Sequence, residues 1–365
     1  MMRCQRVWPL AFLMVVIPSL AHANAGTPLM WAAAIHLVVG NALLGVFEGL
    51  LLGFLFRTSI WKAVLLMIAA NYASAWLGFM LRGLVDTENA RMTIETVQLL
   101  PWGILFAAFM LTLLVELPFI LVALRKKERF VRKALFACLL IQSLSYTVLV
   151  GWYARSSYAG IVTELEIVSP SEMGVPDGYS LYYIDTDGER ILRCDLAGEH
   201  KETVGKIESE DPDDRLAAKP ENAGAYDLYL LLPDEERLVL KDFAEAASVD
   251  WYVQEGRSRK PYPTSFNFGV VPRVAVESDW EYQVGYWPGQ GISGRCESQQ
   301  LSFQYSLETP FAAWNVRNAA HISGDFAVFQ LGRDQICILQ PQKKRIALIA
   351  RGKGPVVAQD KASAE

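Results

Sequence analysis

The arrangement of apolar and polar positions changes near Tyr153. Up to that residue, long apolar segments are separated by short charged loops, and each segment has the roughly 20 residues that a helix needs to cross a hydrocarbon core of about 30 Å. Four such lengths in close succession favour transmembrane helices over the buried helices of a soluble protein. The pattern predicts a membrane α-helical bundle within residues 26–154, with four transmembrane helices at 28–56, 60–81, 99–124 and 134–153.

Short alternating segments punctuated by Gly, Pro and Asp follow, over residues 156–357. The stretch SLYYIDTDGERILRCDLAGEHKETVGKI predicts three strands joined by turns at Asp187–Gly188 and Gly198. Two similar units come later, with turns at Pro233–Asp234, Gly332 and Pro341. The best helical stretch in this region, KDFAEAAS, is short. We therefore predict a mostly-β extracytoplasmic domain large enough for its own core, followed by a disordered tail at 358–365.

The first and third of these units resemble the hairpins of β-propeller blades. In both, a turn rich in Asp and Gly leads into a strand of the I-x-R-x-D-L type or a close variant. The resemblance covers two short stretches, and a complete propeller needs four or more blades, which a region of this length barely holds. The sequence therefore leaves two architectures open, a propeller-like fold and a β-sandwich.

The N-terminus has the layout of a bacterial secretory signal peptide. Arg3 and Arg6 precede a short apolar stretch from Val7 to Leu20, and Ala21-His22-Ala23 supplies small residues for cleavage. We therefore expect residues 1–23 to be removed on export. An uncleaved first membrane anchor is the alternative, although the apolar stretch is short for a span.

Charge in the short loops predicts the orientation of the four helices. The loop at 125–133 carries six basic residues, and the loop at 57–62 carries two, whereas the loop at 83–98 has more acidic than basic residues. Basic loops tend to face the cytoplasm. The first and third loops are then cytoplasmic, and both mature termini lie on the periplasmic side. We expect a multi-pass protein of the bacterial inner membrane with a periplasmic domain.

One polar residue lies at the same depth in each of the four predicted helices. Glu48 and Glu116 are each nine positions before the Arg that ends their segment. Asn71 and Gln142 are each nine positions after the Lys that begins theirs. At a rise of about 1.5 Å per residue, this offset is roughly 13 Å in every helix. The sequence therefore predicts an intramembrane polar layer of Glu48, Asn71, Glu116 and Gln142.

Burial in the membrane gives these four side chains a reason to meet. A charged group near the bilayer centre costs about 2.5 to 3.5 kcal/mol, so it turns inward and pairs with polar groups. Each amide offers two N–H donors, and one carboxyl of a close pair can be protonated and donate as well. Two roles stay open: a hydrogen-bonded knot that fixes helix register, or a path for protons or cations. Such a path would be extended by His36, Asn41, Ser74 and Tyr146.

The first predicted helix also carries a ladder of glycines, Gly45, Gly49 and Gly53. Glycines four positions apart lie on one helix face and let a second backbone approach closely. The ladder predicts tight helix packing, with either another span or another subunit as the partner. In the third helix, Pro118 is expected to produce a kink and to free a carbonyl near Leu114.

Candidate chemistry in the β region is sparse. Its three cysteines, Cys194, Cys296 and Cys337, permit one disulfide in an oxidising compartment, with the pair left open and core packing as the alternative. The acidic run at 208–214 lacks the Gly and terminal Glu of a calcium-binding EF-hand loop. We interpret it as a solvated loop. His200 and His321 lack the spacing of a catalytic triad.

Composition narrows the function further. The net charge of −5 and the mean hydropathy of +0.20 average an oily half and a water-soluble half. Nucleic acid is not an expected partner, because no basic face or aromatic-basic module is present in the sequence. The sequence predicts no catalytic residue, metal site or cofactor.

These features favour a membrane-anchored extracytoplasmic binding or scaffolding protein of the bacterial envelope, without enzymatic activity. Its expected partners are the lipid bilayer and either an envelope protein or further copies of the chain. The alternative is a transport or ion-coupled membrane protein that uses the Glu48 and Glu116 layer. An enzyme would require a pocket in the β region that the sequence does not indicate.

Overall fold

The computed structural model describes residues 27–82, 92–98, 100–221, 225–233, 235–249 and 268–360. The chain forms two compact units, of which one comprises Met1–Phe79 with Leu111–Ser156 and the other Met80–Met110 with Ser157–Glu365. The predicted signal peptide at 1–23 lies outside the described residues, as do residues 361–365 of the predicted tail.

Among the described residues, four stretches of helix are long and apolar enough to cross a membrane. The first stretch combines α1, a π-helical turn and α2 without a break. The helix bounds are Pro28–Ile35 (α1), His36–Gly40 (π turn), Asn41–Phe56 (α2), Ile60–Arg82 (α3), Leu100–Leu124 (α4) and Phe130–Ser156 (α5). The four predicted apolar helices are therefore confirmed.

The fourth helix is longer than its apolar segment. It begins at Phe130 rather than at 134, so Arg132 and Lys133 lie inside its first turn. Arg and Lys are good helix formers, and therefore the charge ends the apolar run without ending the helix. The start of α1 follows the ordinary rule for helix N-caps. Thr27 caps α1 by accepting the N–H of Met30 at 3.3 Å.

The β domain begins after α5 with a short helix, α6 (Gly160–Thr163), and consists otherwise mostly of strands. The strands are β1 Glu166–Val168, β2 Tyr179–Ile184, β3 Arg190–Asp195, β4 Glu202–Lys206, β5 Arg215–Pro220, β6 Tyr226–Leu231, β7 Glu236–Ala244, β8 Ala246–Ala247, β9 Gly269–Val270, β10 Trp280–Val284, β11 Ile292–Cys296, β12 Leu301–Tyr305, β13 Leu307–Glu308, β14 Ala313–Trp314, β15 Val316–His321, β16 Ala327–Leu331, β17 Gln335–Gln340, β18 Arg345–Arg351 and β19 Lys353–Gln359.

Four main sheets carry these strands. The central sheet has the order β1-β18-β17-β16-β15, and the meander sheet has the order β12-β11-β10-β9. The closing sheet, β4-β3-β2-β19-β8, joins the last strand of the domain to strands near its beginning, and the small sheet is β5-β6-β7. Within the sheets of the described residues, the strands pair antiparallel apart from β1, which lies parallel to β18. A two-stranded sheet, β13-β14, completes the set.

The central sheet is buried on both faces because successive residues of its strands enter different cores. Phe329 packs in a cluster with Tyr282 of the meander sheet, whereas its neighbour Val328 packs in a cluster with Leu181 of the closing sheet. A third cluster joins the closing sheet to the small sheet. Alternation of side chains along a strand thus places the four sheets in one series, from the meander sheet to the small sheet.

Most turns lie where the pattern of the sequence predicts them. Gly188, in the Asp187–Gly188 turn between β2 and β3, has a φ of +73°, which favours glycine. KDFAEAAS, the best helical candidate of this region, lies in β7 and β8 instead of forming a helix. A short segment takes its conformation from its neighbours in the sheet. The last strand continues to Gln359, beyond the predicted boundary at 357, because β2 and β8 supply partners for it.

Residues 92–98, which precede α4, pack onto the β domain. Ile94 and Val97 are buried in the cluster shared by the meander and central sheets. The Ile94 N–H donates to Gln335 Oε1 at 2.7 Å. We call residues 92–98 the strap. The sequence pattern treats this stretch only as a connection between two apolar helices.

Candidate functional site

The glycine ladder brings α2 against α3 of the same chain. A Cβ added at Gly45 would lie 2.5 Å from the Cα of Ile68, and one at Gly49 would lie 2.3 Å from the Cα of Val64. Gly53 faces α3 one turn further on. Real Cβ atoms do not approach backbone so closely, so only glycine fits at these positions. The partner of the ladder is another helix of this chain, one of the two alternatives that the sequence leaves open.

Glu48 is completely buried and accepts three side-chain hydrogen bonds. Asn71 Nδ2 donates to its Oε2. Its Oε1 accepts from Ser145 Oγ at 2.5 Å and from Gln142 Nε2 at 3.4 Å. Donors from α3 and α5 therefore converge on a carboxyl group of α2.

Glu116 is also completely buried, and it has fewer donors. Gln142 Nε2 donates to its Oε2, and Ser74 Oγ lies 2.8 Å from its Oε1. The same Ser74 hydroxyl lies 3.0 Å from the carbonyl oxygen of Asn71. A hydroxyl has only one proton, so it can serve the carboxyl group or the carbonyl, but not both at once.

The two carboxyl groups are bound in matching ways. Glu48 accepts from Asn71 in the following helix and from Ser145 in the other helix pair, while Glu116 accepts from Gln142 in its following helix and from Ser74 in the other pair. Asn71 and Ser74 are three positions apart, as are Gln142 and Ser145. Residues three apart share a helix face. Two helix pairs with the same polar spacing thus form one hydrogen-bonded cluster.

The predicted layer is brought together, and one member of it was missed. Glu48, Asn71, Glu116 and Gln142 form the cluster with Ser74, which the sequence suggests as an extension, and with Ser145, which it does not. The signal for Ser145 was present as the spacing that it shares with Ser74. Serine is too common in membrane helices for this spacing to be recognised before the partners are known.

The other residues suggested as extensions have different partners in the structure. His36 Nδ1 lies 2.7 Å from Tyr153 Oη, and Tyr146 Oη lies 2.8 Å from Thr112 Oγ1. The Asn41 amide donates to the backbone of its own helix, to Leu37 O at 3.2 Å. None of these three hydrogen bonds reaches Glu48 or Glu116.

Pro118 lies inside α4, and the kink and the free carbonyl near Leu114 stay predictions. The neighbouring carbonyl of Leu113 accepts a weak hydrogen bond from Cys138 Sγ at 3.7 Å. This contact joins α4 to α5 beside the cluster, and it does not involve Glu48 or Glu116.

The β domain contains a polar cavity of about 790 Å³ at one set of its turns. The turns come from the closing sheet, the central sheet and the segment that leads to the small sheet. The lining residues are Asp185, Thr186, Asp187, Ser209, Glu210, Pro212, Arg333, Asp334, Arg351, Gly352 and Lys353. The sequence does not indicate this cavity, because its wall is assembled from four connections that are far apart in the chain.

Some of the charges around the cavity neutralise one another. Arg351 Nε donates to Asp334 Oδ2 at 2.7 Å, and Arg190 Nε donates to Asp185 Oδ2 at 2.8 Å. Lys353 donates to the carbonyl oxygen of Asp211, and burial lowers its pKa. The wall therefore holds fixed ion pairs, while Asp187 and Glu210 at the surface are exposed. Such a wall suits a polar or charged occupant.

The acidic run at 208–214 is solvated only in part. Glu208 and Glu210 are exposed, as the sequence suggests. Asp214 is buried, and its Oδ2 accepts from Ser209 Oγ at 2.7 Å and lies 4.0 Å from Lys353 Nζ. Asp213 pairs with Arg317 at 3.1 Å. Cations distant in sequence therefore hold the end of the run against the domain.

The three cysteines of the β domain are free and buried, so the permitted disulfide is not formed in the structure. Cys194 packs in the cluster between the closing and central sheets, whereas Cys296 and Cys337 pack in the cluster between the meander and central sheets. Burial raises the pKa of the Cys194 thiol to about 12 and also raises that of Cys337. These thiols act as small core residues.

One exposed turn brings three groups with metal-binding atoms together. Asp195, Glu199 and His200 each offer a ligand atom, and these atoms lie within 4.8 Å of one another. His200 Nδ1 lies 2.8 Å from Asp195 Oδ2, and this hydrogen bond raises the pKa of His200. The arrangement is an ion pair at an exposed turn. His321, in contrast, is buried, with Nε2 2.9 Å from the carbonyl oxygen of Gly324.

Comparison with known protein families finds none that matches this chain, and no curated protein matches it either. The function is therefore argued from the geometry of the two units alone.

Proposed function

We propose that this protein is a membrane-anchored binding or scaffolding protein of the bacterial envelope, without enzymatic activity. The apolar helices anchor it in the inner membrane as a four-helix bundle, and the β domain binds a partner on the periplasmic side. The observation that carries the proposal is the polar cavity of about 790 Å³ in the β domain. Binding sites are typically concave and contain a few convergent polar groups.

The intramembrane cluster supports the anchoring role. Each of the four carboxyl oxygens has a donor from another helix, and the donors belong to α3 and α5. A polar group in the membrane that is satisfied in this way fixes the register and the rotation of its helix. The hydrogen-bonded knot is therefore the role that we propose for Glu48, Asn71, Glu116 and Gln142.

The strap supports the orientation. It connects α3 to α4, and Ile94 and Val97 of the strap are buried within the β domain. The second loop and the β domain then lie on the same side of the membrane, as an even number of spans between them requires. The basic loops, with Arg125 and its neighbours, favour the periplasm for that side, and a cleaved signal peptide would agree with it.

We further propose a partial propeller-like architecture for the β domain. Sandwiches have two packed layers, whereas the clusters here join four main sheets in one series. The meander order of β9 to β12 and of β15 to β18 supports this proposal. A closed set of blades is not required for it.

The binding role is tested by isolation of the full-length protein from native membranes in mild detergent, with mass spectrometry of everything that co-purifies. The cavity variant carries Asp187→Lys and Glu210→Lys, two exposed positions where the fold should tolerate the change. The matched control is Glu297→Lys, an exposed turn residue that does not line the cavity.

A partner that remains with the control and is lost from the cavity variant would support the proposal. The double variant Glu48→Gln, Glu116→Gln should keep the partner, because the cluster serves the anchor. A wild-type protein that is isolated as a monomer with nothing bound would contradict the binding role.

One observation favours a second function, transport or ion coupling. The two buried carboxyl groups share a single amide nitrogen, Gln142 Nε2, which contacts Glu48 Oε1 and Glu116 Oε2. Buried acidic residues at this depth often mark ion pathways. Proteoliposomes with a pH-sensitive dye inside would reveal a proton flux in the wild type that the double Gln variant lacks. Equal dye responses in both would exclude the cluster as a proton path.

A further inference from the structure

The strap is joined to the central sheet by a buried hydrogen bond, in addition to its apolar packing and to the bond from Gln98 Nε2 to Val162 O at 3.3 Å. Ile94 is fully buried, and its N–H donates to Gln335 Oε1 at 2.7 Å. Gln335 is the first residue of β17 and is itself buried. Val97, one turn further on, enters the same apolar cluster as Ile94. A buried N–H with one side-chain acceptor depends strongly on the position of that acceptor.

Gln335 directly follows a turn that forms part of the cavity wall. Arg333 and Asp334 of this turn line the cavity, and Asp334 is fixed by Arg351, whose Nε lies 2.7 Å from Asp334 Oδ2. The turn is short, since Gly332, with a φ of +66°, directly follows β16. The cavity wall and the acceptor for the strap are therefore neighbours on one tight turn.

We propose that the strap couples the cavity to the helices α3 and α4. A polar occupant that engages Arg333 or Asp334 shifts the turn, and the shift changes how firmly Gln335 holds Ile94. In the amino-acid sequence the strap lies between α3 and α4, so its release reaches the two helices that carry Asn71 and Glu116. This inference rests on the proposed binding role of the cavity.

The coupling is measured by hydrogen–deuterium exchange of the full-length protein in lipid nanodiscs. The peptides of interest cover the strap and the adjoining ends of α3 and α4. Gln335→Met removes the acceptor, and its control, Gln340→Met, makes the same change at another buried residue of β17. Loss of one buried hydrogen bond should speed exchange in the strap about tenfold, whereas the control should leave the strap as in the wild type.

A second pair of variants perturbs the cavity without a ligand. Asp334→Asn weakens the pair with Arg351, and Asp187→Asn changes an exposed cavity residue on a different turn. The expected result is a severalfold faster exchange in the strap and helix ends for Asp334→Asn only. Unchanged exchange in Asp334→Asn would overturn the coupling, and an equal rise in the Gln340→Met control would overturn it as well. Because no partner is present, this result is independent of whether the cavity binds one.

Discussion

The two pairs of long apolar helices each hold a buried Glu through an amide from their second helix, and the first pair also has a glycine ladder. The first pair, α2 and α3, binds Glu48 through Asn71, and the second pair, α4 and α5, binds Glu116 through Gln142. In the first pair the glycine ladder lets the backbones approach closely. Beside the second pair, Ile120 and Leu124 of α4 and Ala134 and Ile141 of α5 belong to an apolar cluster that also includes Leu52 of α2 and Met67 of α3.

The two amides also differ in length. Asn is shorter than Gln by one methylene, and Asn71 reaches Glu48 where the glycines bring α2 and α3 together. Gln142 contacts both Glu116 and Glu48 through its amide nitrogen. We therefore expect the length of each amide to match the approach of its helices.

The largest effect should come from the glycine ladder. Gly49→Ala would place a Cβ 2.3 Å from the Cα of Val64, so the first pair must separate. We expect a loss of about 3 kcal/mol in the free energy of unfolding, measured by titration with SDS. The control is Gly78→Ala in α3, where an added Cβ meets nothing within 4 Å, and its stability should not fall. Equal losses at both positions would contradict close packing by the ladder.

The two carboxyl groups should respond unequally to the same replacement of Glu by Gln. At Glu48, the new amide of Glu48→Gln would face donors from Asn71, Gln142 and Ser145. We expect a loss of about 2 kcal/mol relative to Glu116→Gln. In the latter, Ser74 can accept from the new amide, since its own proton can go to the Asn71 carbonyl.

SDS titration of both variants under identical conditions gives this difference directly, because both variants replace Glu by Gln. If Glu116→Gln were the less stable variant, the donor asymmetry between the two carboxyl groups would be wrong.

The variants with the smallest expected effect test whether the length of each amide matches the approach of its helices. Gln142→Asn should lose contact with at least one carboxyl group, at a cost of about 1 kcal/mol. The reverse change, Asn71→Gln, must fit a longer side chain beside the glycine ladder. Combined with Gly49→Ala, which widens the first pair, Asn71→Gln should be less harmful than it is alone. A double-mutant cycle measures this coupling, and strict additivity would count against the match.

Much of the architecture could be predicted from local pattern. Four apolar lengths gave the helices, and alternation with turn residues such as Gly188 and Gly332 gave the strands. KDFAEAAS failed because a short segment has no strong preference of its own, and sheet neighbours decided its conformation. The start of α5 was placed late because hydropathy detects the apolar run, whereas helix formation continues through Arg132 and Lys133.

The candidate sites also divide into residues that the sequence predicts and contacts that only the folded chain makes. Equal depth alone located Glu48 and Glu116, because a helix converts a count of residues into a distance. Ser145 was missed, since its role depends on a carboxyl group from another helix. The cavity and the strap could not be found from sequence at all. Their contacts, such as Ile94 with Gln335, join positions that only the folded chain brings together.

The sequence by itself determined the elements and the depth of each polar residue, because hydropathy, charge and helical rise act along the chain. Only the tertiary structure decided which helix the glycines meet, which donor serves which carboxyl group, and that three cysteines stay free. It also decided that cations distant in sequence lie against Asp213 and Asp214 at the end of the acidic run. Hydrogen bonds and ion pairs depend on distances between elements, and those distances are set by packing rather than by position in the chain.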